Sequence, residues 1–321
     1  MFRLNPLTLE NLKRFRSLRR GYWSFIIMML LIFLSLVAEL FVNSRALVVR
    51  YDSKLYFPVY GAIIPGARFG LGYDYETDYR QLKKQLSGNS RGDFVIMPPI
   101  PYNPYETDFI DGSYPPFPPS IERRHFLGTD RTGRDIAARL IYGFRISIIF
   151  SLILLVFNYA IGISVGSLMG YLGGRFDLFF QRIIEIWNNI PYLYAIIIIS
   201  SIIIPNFFSL LGIMIFFGWI GITWYMRTAV YSEREREYVL AAKAMGASTF
   251  RIIAKHIIPN TLSVIITFIP FAVAGGITAL TALDYLGFGL APPVPSWGQL
   301  LAEASQYNIA APWIGISVIT A

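Results

Sequence analysis

The feature that most constrains this sequence is its succession of apolar runs long enough to cross a lipid bilayer. A helical crossing takes roughly 20 mainly apolar residues to cover about 30 Å of hydrocarbon. Such runs stand at about residues 22–42, 146–172, 183–204, 207–225 and 262–283. A sixth opens at Ala311-Pro312-Trp313 and stops at Ala321, too short to span, so its span is expected to be truncated in this chain. Hydrophobic residues make up 55% of the chain, charged residues 15%, and mean hydropathy is +0.50. That balance excludes an ordinary soluble domain and reads as an all-α integral membrane protein.

The formal charge of +8 fits the same reading, because basic residues flank spans on the cytoplasmic side; nucleic acid is not expected as a partner. Without cysteine there are no disulfides or thiolate metal sites, and His125 and His256 alone offer little for imidazole metal or acid–base chemistry. No metal site and no catalytic residue is expected.

Residues 1–21 carry Arg3, Lys13, Arg14, Arg16, Arg19 and Arg20 against Glu10, which assigns them to a cytoplasmic N-terminal segment. Residues 22–42 then read as the first transmembrane helix, anchored at the interface by Tyr22 and Trp23. A cleaved signal peptide competes, but the run exceeds the usual 7 to 15 residue apolar core and no small-x-small site follows. Glu39, near the outer end, reads as solvated or paired.

Residues 43–139 form a polar insert, periplasmic if that orientation holds, since long loops translocate largely regardless of charge. The alternation from Val49 to Pro58 suits a strand or hairpin arm. Met97–Pro101 and Tyr114–Pro119 cannot be helical. Two states of the insert stay open, a small lobe of mixed or irregular structure and a floppy loop. At its end, Gly128, Thr129, Asp130, Gly133, Arg134 and Asp135 suit a tight turn whose carboxylates cap the next helix; a carboxylate dyad or substrate clamp is the alternative.

Residues 140–321 form the membrane core. Gly162, Gly166 and Gly170 place small residues on one helix face, where a second helix can approach closely. Pro191 predicts a kink in the third run, and Glu185 reads as an end-of-span residue paired with Arg182 or Arg175 rather than a proton relay. The chain returns inside at Met226, and residues 226–260 are strongly basic. There, Val239, Ala242, Gly246, Thr249 or Phe250, Ile253 and Ile257 fall at helical spacing. Gly246 suits a C-terminal stop and Ser248 an N-cap, so a helix–turn–helix at the cytoplasmic face is expected. Its small surface, Ala241, Ala242, Gly246 and Ala247, suits a protein groove; an amphipathic segment resting on lipid is the alternative. The Pro-rich stretch after Asp284 is too irregular to cross lipid but can dip back along the protein.

Ala241-Ala242, then Gly246, then Pro259, resembles the EAA loop of bacterial ABC-importer permeases, with Leu240 standing where that pattern usually has glutamate. Leu127-Gly128-Thr129-Asp130, Gly133-Arg134-Asp135, Arg145-Ile146-Ser147, Gly170-Tyr171 with Gly173-Gly174, Leu286-Gly287-Phe288-Gly289 and Pro295-Ser296-Trp297-Gly298 resemble the C-type permease of dipeptide, oligopeptide and nickel importers. The insert, through Arg50-Tyr51-Asp52 and Tyr56-Phe57-Pro58, and the entry Arg19-Arg20-Gly21-Tyr22-Trp23 look most like the Yej-type permease of oligopeptide and microcin C import.

The resemblance implies a type I ABC-importer permease fold with six transmembrane helices, multi-pass in the bacterial inner membrane, N-terminus cytoplasmic. It implies a second, B-type permease, an ATPase subunit or fused double ATPase, and a periplasmic peptide-binding protein as partners, besides membrane lipid. It also implies that Ala241, Ala242, Gly246, Ala247 and Pro259 couple the chain to the ATPase. No Gly-x-x-x-x-Gly-Lys loop occurs in the sequence, so ATP and Mg are expected on partner subunits and no cofactor on this chain. A secondary transporter or channel driven by an ion gradient is the rival class, and would place ionisable residues near the membrane midplane or show inverted repeats.

Overall fold

The computed structural model describes residues 16–17, 19–87, 92–109 and 112–321, so most of the basic segment 1–21 lies outside the described residues. The chain divides into two compact units, Met1–Arg145 with Ile319–Ala321, and Ile146–Val318.

In the first unit, helix α1 (Arg19–Leu36) carries the first apolar run and gives way to a 3-10 turn at Ala38–Leu40, short of the expected end at 42. Glu39 sits in that turn and pairs with Arg145 at 2.7 Å, the paired rather than the solvated reading. Strands β1 (Val48–Tyr51) and β2 (Lys54–Tyr56) form a hairpin in the register Tyr51↔Lys54. Its two loop residues, Asp52 and Ser53, both have positive φ, as a turn matching strand twist requires. Helix α2 (Tyr79–Leu86) starts at Asp78, whose carboxylate accepts from the Arg80 and Gln81 amides. Strand β3 (Phe94–Ile96) pairs antiparallel with β1, giving the order β2-β1-β3. Val49, Phe69, Tyr79, Leu82 and Val95 bury the apolar faces of sheet and helix together, and the Tyr51 and Tyr56 rings meet Phe69 edge-on at 5.4 and 5.3 Å. Neither proline-rich run of the insert is helical.

Helix α3 (Ile136–Leu172) begins in the first unit and continues in the second. It is 37 residues long, about 55 Å at 1.5 Å per residue, against about 30 Å of hydrocarbon. The second unit continues with α4 (Gly174–Asn188) and α5 (Tyr192–Ile202), bent by 69° where a single span with a kink was expected. Pro191 supplies the cause: it has no N–H to bond back into α4, and it drives the residue before it out of helical geometry. Glu185 pairs with Arg182 at 2.5 Å.

Helices α6 (Phe207–Gly218) and α7 (Ile220–Glu233) together carry the fourth run eight residues past its expected end at 225. Helix α8 (Glu237–Ala244) and the short α9 (Thr249–Ile252) follow, then a π turn at Ile253–Ile257 that opens into α10 (Ile258–Tyr285). The wider π turn relieves the clash of the Pro259 ring with the preceding turn. Thus the second arm of the expected helix–turn–helix is continuous with the fifth span, from Thr249 to Tyr285.

Helix α11 (Trp297–Gln306), which the proline-rich reading did not anticipate, is followed by α12 (Pro312–Thr320), whose last residues are assigned to the first unit. Among the described residues three helices are long and apolar enough to cross a membrane, or four if the bent pair α4–α5 is one span, and Tyr22–Leu36 is a shorter apolar helix.

Candidate functional site

The glycine pattern of α3 is answered by α7. A Cβ on Gly162 would stand 2.6 Å from the Trp219 carbonyl oxygen, on Gly166 2.4 Å from that of Thr223, and on Gly170 2.5 Å from that of Arg227. Backbone therefore meets backbone along two turns of each helix, which only the missing side chains permit. Arg227 reinforces the seam on its other side: its guanidinium donates from Nε and Nη2 to the two oxygens of Asp177, at 2.6 Å each, tying α7 to the first turn of α4. Arg234, one residue past α7, donates to the Gly170 carbonyl at 3.4 Å.

Helix α8 is mounted on this frame. Val239 and Ala242 are 1% and 2% exposed and pack with Met226 and Val230 of α7 and with Ile252 and Ile257. Ala242 thus faces inward, inside the loop. Ala241, Gly246 and Pro259 are exposed and Ala247 is half-buried. At the C-terminus of α8 the Gly246 amide donates to the Lys243 carbonyl and the Ala247 amide to that of Ala242, the two-bond pattern of a Schellman stop. Gly246 has φ +79° and nothing lies within 4 Å of where its Cβ would be, so glycine is needed there for conformation and not for space. Ser248 caps the next helix by accepting from the Arg251 amide. Around this turn, Met245 is 80% and Phe250 81% exposed; Thr249 and Phe250, alternatives for the apolar stripe, both face outward, and Met245 stands outside that reading.

The Gly128–Asp135 segment is a closed polar knot. The buried Asp130 carboxylate accepts from the Thr132 amide and hydroxyl, each at 2.8 Å, and from the Arg134 amide and Nε at 3.0 and 2.7 Å; Arg139 Nε stands 3.4 Å away. Asp135 caps α3 by accepting from the Ala138 amide at 2.7 Å, and its other oxygen meets His125 Nδ1 at 2.8 Å. His125 is 1% exposed, and its Nε2 lies 3.2 Å from Asp108. Burial opposes a charge on this imidazole, yet the hydrogen bonds to the two carboxylates outweigh it and hold its pKa above the ordinary histidine range. The same contact with His125 holds Asp108 below the usual carboxylate range. Gly128 and Gly133 both have positive φ, and a Cβ on Gly133 would fall 2.5 Å from the Asp108 carbonyl oxygen. The capping and charge-neutralising roles expected of the Asp/Arg pairs are the ones this geometry carries. His125, read from sequence as chemically idle, is the piece that joins the knot to Asp108.

A third joint centres on Asp284 at the C-terminus of α10. One carboxylate oxygen accepts from the Leu290 amide at 2.6 Å and the other from the Ser296 hydroxyl, while Ser296 also caps α11. Gly289 and Gly298 press so close to Asp284 that a Cβ on either would meet it or its neighbours within 3 Å. The Leu286–Gly289 and Pro295–Gly298 motifs thus fold the chain back onto α10 around one buried carboxylate.

Comparison with known proteins places these joints in context. A family model described as binding-protein-dependent transport system inner membrane component matches residues 162–321. The chain is 41% identical over 320 residues to the inner membrane ABC transporter permease protein YejE of Escherichia coli K12, covering 99% of this chain and 92% of that protein. It is 38% identical over 338 residues to the peptidoglycan transport system permease protein YejE of Agrobacterium fabrum C58, covering 98% and 87%. With the dipeptide transport system permease protein DppC of Bacillus subtilis 168 it shares 36% identity over 196 residues, 61% of each chain.

Proposed function

The chain belongs to the inner membrane components of binding-protein-dependent transport systems, and from that premise we propose that it is the C-type permease of an ATP-driven peptide importer. It is a non-catalytic, multi-pass subunit of the bacterial inner membrane. Together with a B-type permease it forms the path for oligopeptides, microcin C-like peptides among them, into the cytoplasm. Its N-terminus is cytoplasmic, residues 43–139 are periplasmic, and it takes the six-span type I permease fold. A periplasmic binding protein delivers the peptide. An ATPase subunit or fused double ATPase binds ATP and Mg.

The observation that carries this reading is the 41% identity to an ABC permease across 99% of the chain, insert included. The frame described above supports a mechanism. Ala241, Gly246, Ala247 and Pro259 present the coupling surface to the ATPase, Ala242 supports it from beneath, and Met245 and Phe250 fill the partner's groove. Because α8 is packed on α7, and α7 is fixed to α3 and α4, a push on the turn moves several helices together. The ATPase shifts the permease between inward and outward access only through contacts that differ between those states.

The test is uptake by the complete transporter in proteoliposomes. The reading requires peptide accumulation with ATP on the ATPase side and none with a proton gradient alone; the reverse result would establish the ion-driven alternative. The relative named for peptidoglycan transport motivates a second substrate in the same assay, a peptidoglycan-derived muropeptide, set against an unmodified oligopeptide.

A further inference from the structure

One cavity of the second unit serves neither the coupling turn nor the Asp284 joint. It measures about 400 Å³ and opens among α3, α5, α6, α7 and α10, a size suited to a small ligand or a few residues of a peptide. Its walls are aromatic, with Tyr159, Tyr192, Tyr225 and Phe268, the last two stacked at 3.9 Å between ring centroids. Gly218, Gly221, Gly275 and Gly276 line it as well.

Into this lining the sequence sets one carboxamide, Asn158, near the middle of the apolar run 146–172. Its side chain lies against Gly218, where a Cβ would come within 2.6 Å of Nδ2, so the glycine makes room for the amide. Asn158 Oδ1 is buried and has no hydrogen-bond partner among the described residues. A polar group in a span without a partner is costly, and such groups mark substrate paths.

We propose that Asn158 is a peptide-backbone contact within the translocation path; this rests on the peptide-importer reading. The carboxamide carries an acceptor oxygen and a donor nitrogen side by side. A peptide link presents the complementary pair, so Asn158, once its carboxamide turns to bring the buried Oδ1 toward the cavity, accepts from a backbone N–H and donates to a backbone C=O of the passing chain. Those groups are the same at every residue, and the aromatic and glycine lining contacts side chains without selecting their charge. The site therefore suits a carrier that passes many sequences.

The experiment uses the full transporter with its binding protein in proteoliposomes, with hexaalanine and a hexaalanine N-methylated at alternate residues as probes. Binding-protein affinity for each probe is measured separately and corrected for. Wild type should import the N-methylated probe about tenfold more slowly, the weight of one hydrogen bond. Asn158→Ala and Asn158→Leu should import hexaalanine about tenfold more slowly than wild type and lose the discrimination between the two probes, while still co-purifying with the second permease. Wild-type uptake by Asn158→Leu, retained discrimination, or loss of the second permease from the variant complexes would overturn the proposal, the last by making Asn158 an interface residue. Absence of any ATP-dependent peptide uptake by the wild-type transporter would overturn the underlying reading instead, and this proposal with it.

Discussion

Arg227 and Asp177 form a two-bond ion pair, Nε and Nη2 each 2.6 Å from a carboxylate oxygen, between helices that the sequence separates by fifty residues. Asp177 also accepts from the Gln181 amide nitrogen at 2.8 Å, so its carboxylate is held on two sides. Replacing Arg227 with Gln strips one partner from a buried carboxylate, a loss of about 1–3 kcal/mol. The variant complex should melt earlier in detergent, and Arg227→Gln with Asp177→Asn should recover part of the loss. A double variant no better than the single one would mean that the pair is not what holds α4 to α7.

The glycine seam makes a sharper prediction. A Cβ on Gly166 would meet the Thr223 carbonyl oxygen at 2.4 Å, and a backbone atom cannot swing aside as a side chain can. Gly166→Leu should cost at least the roughly 1–3 kcal/mol of an overpacked core and depress transport with it. Gly212, in α6, has nothing within 4 Å of its Cβ position, and Gly212→Ala should gain about 0.5–1 kcal/mol through better helix propensity. Thermal melting of the two variants side by side should move in opposite directions.

Much of this frame was legible because it rests on short-range chemistry. Pro191 announced the break between α4 and α5, the three glycines of α3 announced a close neighbour, and Gly246 with Ser248 announced the turn. Helix ends were less legible: hydropathy measures only the length of lipid to be crossed, whereas α3 and α7 run past that length, α3 on buried residues from Ile136 to Leu140 and α7 on the Arg227–Asp177 ion pair. The joints at Asp284 and His125 were hidden for another reason. Ser296 lies twelve residues from Asp284 inside a proline-rich stretch, and Asp108 lies seventeen from His125, so each carboxylate meets its partner only once the chain has folded. For Ala242 two signals competed, a small residue suited to a partner and a place in the apolar stripe, and burial of the stripe decided.

The His125 knot carries a pH dependence with a definite sign. The folded pKa of His125 is raised above its ordinary 6.5, so its contribution is fully present below that pH and is lost as pH rises through the folded value. Asp108 is held below its ordinary 3.8, so its contribution is present above that pH and is lost as pH falls through the folded value. Between the two, the knot is at full strength. Melting followed from mildly acidic to alkaline pH should show stability falling on the alkaline side, and His125→Asn should flatten that fall. An equal alkaline loss in the variant would place the titrating group elsewhere.

Gly246 should fail by conformation and not by crowding. With φ +79° and open space around it, an L-residue there costs about 1–2 kcal/mol of left-handed strain, and Asn tolerates that region better than a β-branched residue. Gly246→Val should therefore weaken coupling of ATP hydrolysis to uptake more than Gly246→Asn does. Equal activity in the two variants would remove the Schellman geometry from the mechanism.

Leu240, the departure from the EAA-loop pattern, allows the proposed coupling surface itself to be tested. Leu240 is 52% exposed on α8, while Met245 and Phe250 beside the turn are exposed more fully still. Because none of the three supports the fold, their replacement should leave melting within about 0.5 kcal/mol of wild type. Their effects on coupling should differ. If the loop engages the ATPase through apolar knobs, Phe250→Ala should reduce co-purification of the ATPase about tenfold or more, as loss of a buried aromatic anchor does. Leu240→Glu should change it little, because a partially exposed charge at an interface rim contributes little affinity. Stronger ATPase binding by Leu240→Glu, with Phe250→Ala indifferent, would show that the partner groove still reads the charge and that the apolar knobs are incidental.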